Sequence, residues 1–287
     1  MISADRHAVV VGQSGFMGRA MARAVAAQGG PAALTSLPHR EFVREVLEGR
    51  GKCAVADVLA LGRKQDWIVA TGIVDPRADP ILLRRINVDF PCILGQLLEA
   101  AAPNTSRLIT IGSVMEGRDG LVATNAYLAS KSQMASALAQ VRTPAQWLHF
   151  RLHTLYGGHK IPHPCMFAGQ MFTAISTGAE FKMSGGMQFR EYHHVDDIAS
   201  SIISAASQMV EGPIVVLSSG NPVRLKDLAQ AVFAHFGVLD RLVLGAVAHA
   251  GGEVFENVYE PSAFVGASRD PIQNLIAWFE SLGLRRP

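Results

Sequence analysis

Two short stretches of this chain place reactive side chains and free backbone where chemistry could use them. In "YLASK", Tyr127 and Lys131 stand four residues apart. The run from Thr124 to Val141 is rich in Ala, Leu, Ser and Gln and has no Gly or Pro, so it reads as a helix. Positions i and i+4 then share a face. An ammonium beside a phenol favours the phenolate and lowers the tyrosine pKa from its reference of about 10. Tyr127 could then move protons near neutral pH, although a packed Tyr beside a solvated Lys would meet the same spacing. In "GQSGFMG", Gly12, Gly15 and Gly18 follow an apolar run and open a helical one. Glycine there permits a tight turn, close approach to a pyrophosphate and helix-on-strand packing. The helix start adds unpaired N–H groups and a positive dipole end. A tight turn without a ligand is the alternative.

The elements that must position these groups alternate strand and helix. His7–Val11 reads as a strand, Phe16–Gln28 as a helix, Ala32–Leu37 as a strand and Glu41–Glu48 as a short helix. Trp67–Thr71 is a strand ending at Gly72. Pro80–Ala102 is a long helix that Pro91 should kink or split. Arg107–Ile111 is a strand stopped by Gly112-Ser113, and Trp147–Leu152 is a further strand. Val195–Val210 reads as a helix capped by Asp196 or Asp197, followed by a strand at Pro213–Leu217. Leu225–Phe236 and Ile272–Leu282 are amphipathic helices. The expected fold is α/β, a Rossmann-type doubly wound parallel sheet with a smaller C-terminal substrate-binding lobe. The expected division is 1–157 for the dinucleotide-binding part and 158–287 for the lobe, with 195–217 returning to the sheet.

The end of the second strand selects between dinucleotides. NAD sites usually carry an acid there for the ribose hydroxyls. This chain reads "LTSLPHR", with Ser36 and Arg40 and no acid. Arg and Ser can hold a 2′-phosphate that a carboxylate would repel. NADP(H) is therefore favoured over NAD(H). Asp57, in "VADV", is placed at the end of a following strand where it could meet adenine, or is an ordinary surface acid.

Composition excludes several classes. The 287 residues are 49% hydrophobic and 17% charged, with a net charge of +2. That is a well-buried globular chain with no electrostatic footprint for nucleic acid. No stretch of ~20 apolar residues suits a membrane span, and no signal-peptide pattern opens the chain, so a cytoplasmic protein is expected. Cys53, Cys92 and Cys165 have no zinc-like spacing. His193 and His194 adjoin Asp196 and Asp197, but neighbours on a strand face opposite ways, and no metal is expected.

Fragments in order along nearly the whole chain resemble the extended short-chain dehydrogenase/reductase family of nucleotide-sugar epimerases, dehydratases and ketoreductases. They are the three glycines, "NVDFPCILGQLLEAA" (87–101), Ser113 in "ITIGS", Tyr127 with Lys131, "RLHTLYG" (151–157), "REYHHVDD" (190–197) and "VVLSSGNPVRL". The resemblance implies a catalytic set of Ser113, Tyr127 and Lys131. Tyr127 would be the general acid, Lys131 would stabilise the phenolate and hold the nicotinamide ribose, and Ser113 would donate a hydrogen bond to the carbonyl oxygen. It extends the cofactor site to Ser14, Phe16, Met17, Thr71, Gly72 and Asn87. It implies a substrate-binding set of Ser113, Met115, Thr154, Arg190 and His193, with Arg190 on the diphosphate.

Departures from the family pattern narrow the expectation. Dehydratases carry Asp-Glu after the catalytic Ser/Thr, whereas Val114 and Met115 follow Ser113 here. Thr154 replaces the usual Asn, and Glu191-Tyr192 the usual Asp-Phe. The stretch from Gly157 to Arg190 is short. The expected activity is NADPH-dependent reduction of a keto group, at C4, on a nucleotide-linked deoxysugar. A nucleotide-sugar epimerase and a non-catalytic NADP-binding sensor are the alternatives. The resemblance also implies a homodimer, with Ala129, Ser132, Ala135, Ser136 and Ala139 allowing close helix approach.

Overall fold

The computed structural model describes every residue except 1–5, 30–33, 38, 142–145, 209–211, 250, 252, 257–258, 267–269 and 287. The chain opens with β1 (Arg6–Val11), α1 (Phe16–Gly29), β2 (Leu34–Leu37), α2 (His39–Leu47), α3 (Gly51–Leu59) and β3 (Lys64–Val69). It continues through α4 (Pro80–Arg84), a π turn (Arg85–Asp89), α5 (Phe90–Ala101) and β4 (Ser106–Ser113). A 3-10 turn (Val114–Gly117), α6 (Asp119–Val122), α7 (Ala126–Val141) and β5 (Trp147–Leu152) follow. After these come β6 (Thr154–Tyr156), α8 (Phe167–Thr177), β7 (Phe181–Lys182), β8 (Phe189–Arg190), β9 (Tyr192–His194), α9 (Val195–Ala206) and β10 (Ile214–Leu217). The chain closes with β11 (Val223–Arg224), α10 (Leu225–His235), β12 (Leu242–Val243) and α11 (Pro271–Ser281).

The fold is α/β. Six parallel strands form one sheet in the order β2-β1-β3-β4-β5-β10. Its central strands are apolar runs because both faces are covered; Ala8 to Val11 are all buried. The order reverses between β1 and β3, and ligands of such sheets bind beyond the carboxyl ends of strands at a reversal. One face holds a core in which Val9, Trp67, Leu108 and Trp147 meet Phe42, Val55, Phe90, Leu94 and Leu138. Phe42 stacks on Trp67 and meets Phe90 edge-on, both at 6.1 Å between ring centroids, a geometry the aromatic quadrupole favours.

Two compact units divide the chain. The first comprises Met1–Leu152 and Ile198–Leu217, and the second His153–Asp197 and Ser218–Pro287. The second unit has its own core, in which Phe172, Phe181, Phe233, Phe236 and Phe279 pack with Trp278. Met171 and Met183 are buried there, whereas Met187 is exposed. The small sheets of this unit pair β6 with β9, β7 with β12 and β8 with β11.

One sequence expectation is met with a mechanism. The long helix does divide before Pro91, and it does so through a π turn; Pro91 then occupies the first turn of α5, where its missing N–H costs nothing. Asp79 caps α4 by accepting from Ile81 N and Leu82 N. Two expectations are corrected. The stretch containing Asp57 is a helix and not the end of a strand. Val55 and Val58 recur at helical spacing and bury against the sheet, which leaves Asp57 exposed on the opposite side of α3. At the start of α9 the acceptor for Asp196 N is His194 Nδ1, at 3.3 Å, so Asp196 and Asp197 lie inside the first turn rather than before it. Their charges suit that end of the helix dipole.

Candidate active site

The glycine turn is built for close approach of backbone to backbone. Gly12 has φ +99, and a Cβ on it would stand 2.8 Å from Thr71 N and 2.9 Å from Ala70 C. A Cβ on Gly18 would lie 2.0 Å from Gly12 O. These two positions exclude any side chain, so the start of α1 is pressed onto the ends of β1 and β3. Gly15 N donates to Gly12 O and closes the turn. Met17 is buried, while Ser14 and Phe16 face outward. This arrangement fits a pyrophosphate, because bare backbone and the N-terminus of a fourteen-residue helix converge there.

At the neighbouring strand end, Ser36 lies exposed near the end of β2, in register with Val10. Arg40 is exposed in the first turn of α2, and the Ser14 hydroxyl lies 3.2 Å from His39 Nδ1. Ser36, Arg40 and the glycine turn thus gather at one edge of the sheet. Asp57, on α3, is not part of any strand end.

Lys131 is the most constrained charged group of the expected set. It is 7% exposed, and its Nζ donates to Ile111 O at 2.8 Å. Burial pushes its pKa down to about 8, while the negative charge of Glu116 holds it up. The Nζ sits 6.0 Å from the centroid of the half-buried Tyr127 ring. On its other side, a Cβ added to Gly72 would be 3.6 Å from Nζ and 3.2 Å from Asn87 Oδ1. Asn87 is buried and fully used: Oδ1 accepts from Ile73 N, and Nδ2 donates to Ile73 O and to Ser130 Oγ. Ser130 in turn donates to Tyr127 O. Thus Asn87 fixes both the loop after β3 and the first turn of α7. Gly72, Asn87 and the Tyr127–Lys131 pair, which are far apart in sequence, meet in one place.

Ser113 ends β4 and caps the following 3-10 turn. Its Oγ accepts from Met115 N at 3.2 Å, and a hydroxyl that accepts can still donate its proton. Its own amide donates to Glu116 Oε2 at 2.9 Å, completing a capping box. Glu116 was missed as a functional residue, although Ser-Val-Met-Glu is the S-x-x-E pattern of such a box. It is 1% exposed. Oε1 accepts from His149 Nε2 at 2.7 Å and from Arg151 Nε at 2.8 Å. Behind it, Trp147 Nε1 donates to Thr110 Oγ1, which lies 2.9 Å from His149 Nδ1. Burial by itself would raise the Glu116 pKa; the hydrogen bonds from His149, the Ser113 amide and Arg151 outweigh it and hold the group at about 2. Burial also keeps His149 below its ordinary range. The chain is therefore directional: a neutral imidazole accepts at Nδ1 and donates at Nε2 to an ionised carboxylate. Gly112 makes room for it, since a Cβ there would meet Glu116 Oε2 and His149 Nε2 at 2.3 Å.

In the second unit, Thr154 lies on β6 and donates its amide to Glu191 O. The Arg190 guanidinium is paired with Glu253 and also donates to Phe189 O. Glu191 is turned inward and 0% exposed. It accepts from His193 Nε2, Ser218 Oγ, Ser219 N and Asn221 N at 2.8–3.0 Å. His193 is therefore a buried partner of Glu191, while His194 stacks edge-on with Tyr156 at 5.5 Å. The His153 Nε2 stands 3.6 Å from Glu191 Oε2, and burial pushes the His153 pKa down to about 4. Among the described residues no cluster of His, Cys, Asp and Glu could hold a metal, and no helix is long and apolar enough to cross a membrane.

A doubly wound sheet with a glycine turn after β1 and a Tyr-x-x-x-Lys pair beside a strand-end Ser defines a dinucleotide-binding class. Residues 8–218 match the NAD dependent epimerase/dehydratase family, and the chain belongs to that family. No curated protein matches the sequence. Solved structures with the same fold include the Bordetella bronchiseptica enzyme WbmG in complex with NAD and UDP, at 15% identity and TM-score 0.73, covering 98% of this chain and 96% of that one. Another is the UDP-N-acetylglucosamine 4-epimerase from Methanobrevibacter ruminantium M1, in complex with UDP-N-acetylmuramic acid. It is 16% identical with TM-score 0.71, covering 96% of this chain and 98% of that one. The dTDP-4-dehydrorhamnose reductase from Bacillus anthracis str. Ames, in complex with NADP, is 13% identical with TM-score 0.68, covering 96% and 99%.

The buried carboxylate of the second unit generates a pH prediction. Burial would raise the Glu191 pKa, but the His193 hydrogen bond, His153 and the Ser219 amide bring it from 4.5 to about 2. A carboxylate with a depressed folded-state pKa stabilises the fold above its unfolded value and loses that contribution as pH falls. Wild-type stability should thus decline from about pH 4.5 toward about 2. Glu191→Gln should cost about 1–3 kcal/mol at neutral pH, because donors lose an anionic acceptor, and should flatten this acid limb. Urea midpoints measured across the range test both effects; an unchanged acid limb in the variant contradicts the assignment.

Proposed function

We propose that the chain is an NADPH-dependent reductase of a keto group, at C4, on a nucleotide-linked deoxysugar. The observation that carries this reading is the desolvated Lys131 ammonium, one helical turn from Tyr127, at the edge formed by Gly72 and Asn87. The cofactor fits the residues present: glycines at which a Cβ would collide with backbone leave a cradle for the pyrophosphate, and Thr71, Gly72, Asn87 and Lys131 border the next strand end. Ser36 and Arg40, with no acid beside them, favour a dinucleotide that carries a 2′-phosphate.

The bound dinucleotide supplies the hydride. The residues of the chain handle the proton and the developing charge. Tyr127 Oη–H gives its proton to the carbonyl oxygen as that oxygen becomes an alkoxide. Ser113 Oγ–H donates a hydrogen bond to the same oxygen, where negative charge grows. Lys131, held by Ile111 O, offers its positive charge to the phenolate left on Tyr127. An ammonium has three N–H donors, and Ile111 occupies one, which leaves others for a ribose hydroxyl. Arg190, already paired with Glu253, is the proposed contact for the diphosphate; Thr154, Met115 and His193 are proposed as further substrate-binding residues.

Dehydration is disfavoured by the acids present. Val114 and Met115 carry no proton, and the one carboxylate that follows Ser113 in this turn, Glu116, is ionised and turned into the protein against three donors. Epimerisation is the second reading, favoured by the fold shared with the Methanobrevibacter epimerase. It differs in consuming no net cofactor. The reading includes a homodimer through α5 and α7. On α7, Ser136 and Ala139 are exposed and Ala129 and Ser132 half-buried, whereas Ala135 packs inside the subunit.

Three outcomes follow from this reading. With a nucleotide-linked ketosugar, NADPH should be consumed one for one, and Tyr127→Phe should lower turnover by about 100- to 10,000-fold while cofactor binding and the unfolding midpoint stay in place. Near-wild-type turnover of Tyr127→Phe would remove the general acid from this position, and product without NADPH consumption would favour the epimerase. By calorimetry NADPH should bind more tightly than NADH, and Arg40→Ala should weaken NADPH alone, by about 10-fold for a lost charge-assisted contact. Light scattering should give twice the chain mass at about 10 µM, a concentration at which a standard-size interface persists; a monomer there rejects the dimer.

A further inference from the structure

Glu116 and Lys131 are anchored two residues apart on the same strand end. Lys131 Nζ is bonded to Ile111 O, and Glu116 Oε2 to Ser113 N, with Gly112 between them lacking the Cβ that would collide with the carboxylate. Both side chains are buried, at 7% and 1% exposure. A charge in such a place acts at long range because little water screens it. We propose that Glu116 is a positioning residue for the reaction, holding the strand end that presents Ser113 and keeping Lys131 in its ammonium form beside Tyr127. This inference rests on the roles given above to Ser113, Tyr127 and Lys131.

The charged and titratable groups facing this pair can be named from each element around it. From β5 come His149, which donates to Glu116, and Arg151, whose guanidinium lies against the same oxygen. From α7 comes Tyr127, and from β4 only backbone. His149 is kept neutral by burial, so it orients the carboxylate without cancelling it. Arg151 is partly exposed, its side chain 27% accessible, so solvent weakens its hold on the field. Glu116 is then the anionic neighbour that offsets the desolvation of Lys131. Without it, the ammonium would lose its proton at lower pH, and the positive charge offered to the Tyr127 phenolate would be lost with it. A purely structural capping residue would leave that titration where it is.

The test reads Lys131 directly and needs no substrate. Lysine labelled with carbon-13 at Cε gives one signal per side chain, and the Lys131 signal is assigned as the one missing in Lys131→Met. Its titration midpoint should lie near 8 in the wild type. In Glu116→Gln, which removes the charge and keeps the shape, the midpoint should fall by about 1 pH unit. Glu116→Asp, which retracts the charge by one methylene, should give a midpoint between the two. A folded Glu116→Gln protein with an unmoved Lys131 midpoint overturns the proposal; should that variant not fold, an Asp variant that titrates as the wild type overturns it instead. The limb of the kcat/KM profile that reports Lys131 should move with the same midpoint. If the midpoint moves but no ketosugar is turned over, the proposed reaction fails and the link between Glu116 and Lys131 stands.

Discussion

A carboxylate without access to water is the constraint around which the first unit is arranged. Glu116 can stay ionised in that place only if donors surround it, since an isolated buried charge is far more costly than a buried amide. Each donor comes from a different demand on the chain. The Ser113 amide comes from the end of β4. His149 and Arg151 come from alternate positions of β5, which places both on one face of that strand. The β4–β5 register, with Gly112 opposite Arg151 and Ser113 opposite Leu152, is what brings them together. Thr110 and Trp147 fix the imidazole from behind, so the acceptor and donor nitrogens of His149 are not interchangeable.

The second unit uses the same device on different residues. Glu191 follows Arg190 immediately and turns away from it into the interior. There it gathers His193, the Ser218 hydroxyl and the amides of Ser219 and Asn221. The effect is to tie β9 to the loop after β10, two pieces of chain more than twenty residues apart, through one side chain. In both units a glutamate next to a residue of the expected site turns into the protein and gathers donors from separate segments. Removing such a group leaves its donors unpaired, so the cost is larger than the net worth of the hydrogen bonds themselves.

What could be read from the sequence follows the range of the interactions. Local signals were legible. The glycine turn, the helix containing Tyr127 and Lys131, and the split before Pro91 depend on residues within a few positions of one another. The short strands β6 to β9 and the helix α3 were not legible. The strands have two or three residues each and no measurable periodicity. The α3 segment, with Val55 and Val58 buried and Asp57 exposed, offers too few turns to separate it from an alternating strand. Asn87 was named for its place in a familiar stretch, but its bonds to Ile73 and Ser130 join segments that only the tertiary fold brings together. Glu116 was within reach, because Ser113 and Glu116 obey the spacing of a capping box. His149 and Arg151 were not, since nothing in a strand pattern tells which of its polar residues will meet a charge from another strand.

The π turn at Arg85–Asp89 has a consequence for how this region can change over evolutionary time. Such a turn is an α-helix that has absorbed one surplus residue. Deleting one residue between 85 and 89 would let the backbone relax to an ordinary helix, at no cost in hydrogen bonds, and α4 and α5 would keep their directions because the surplus residue is taken up within the turn. The change would fall on Asn87, whose place in the turn sets its bonds to Ile73 and Ser130. The length of this segment can therefore vary by one residue without moving α5, as long as the asparagine keeps its position.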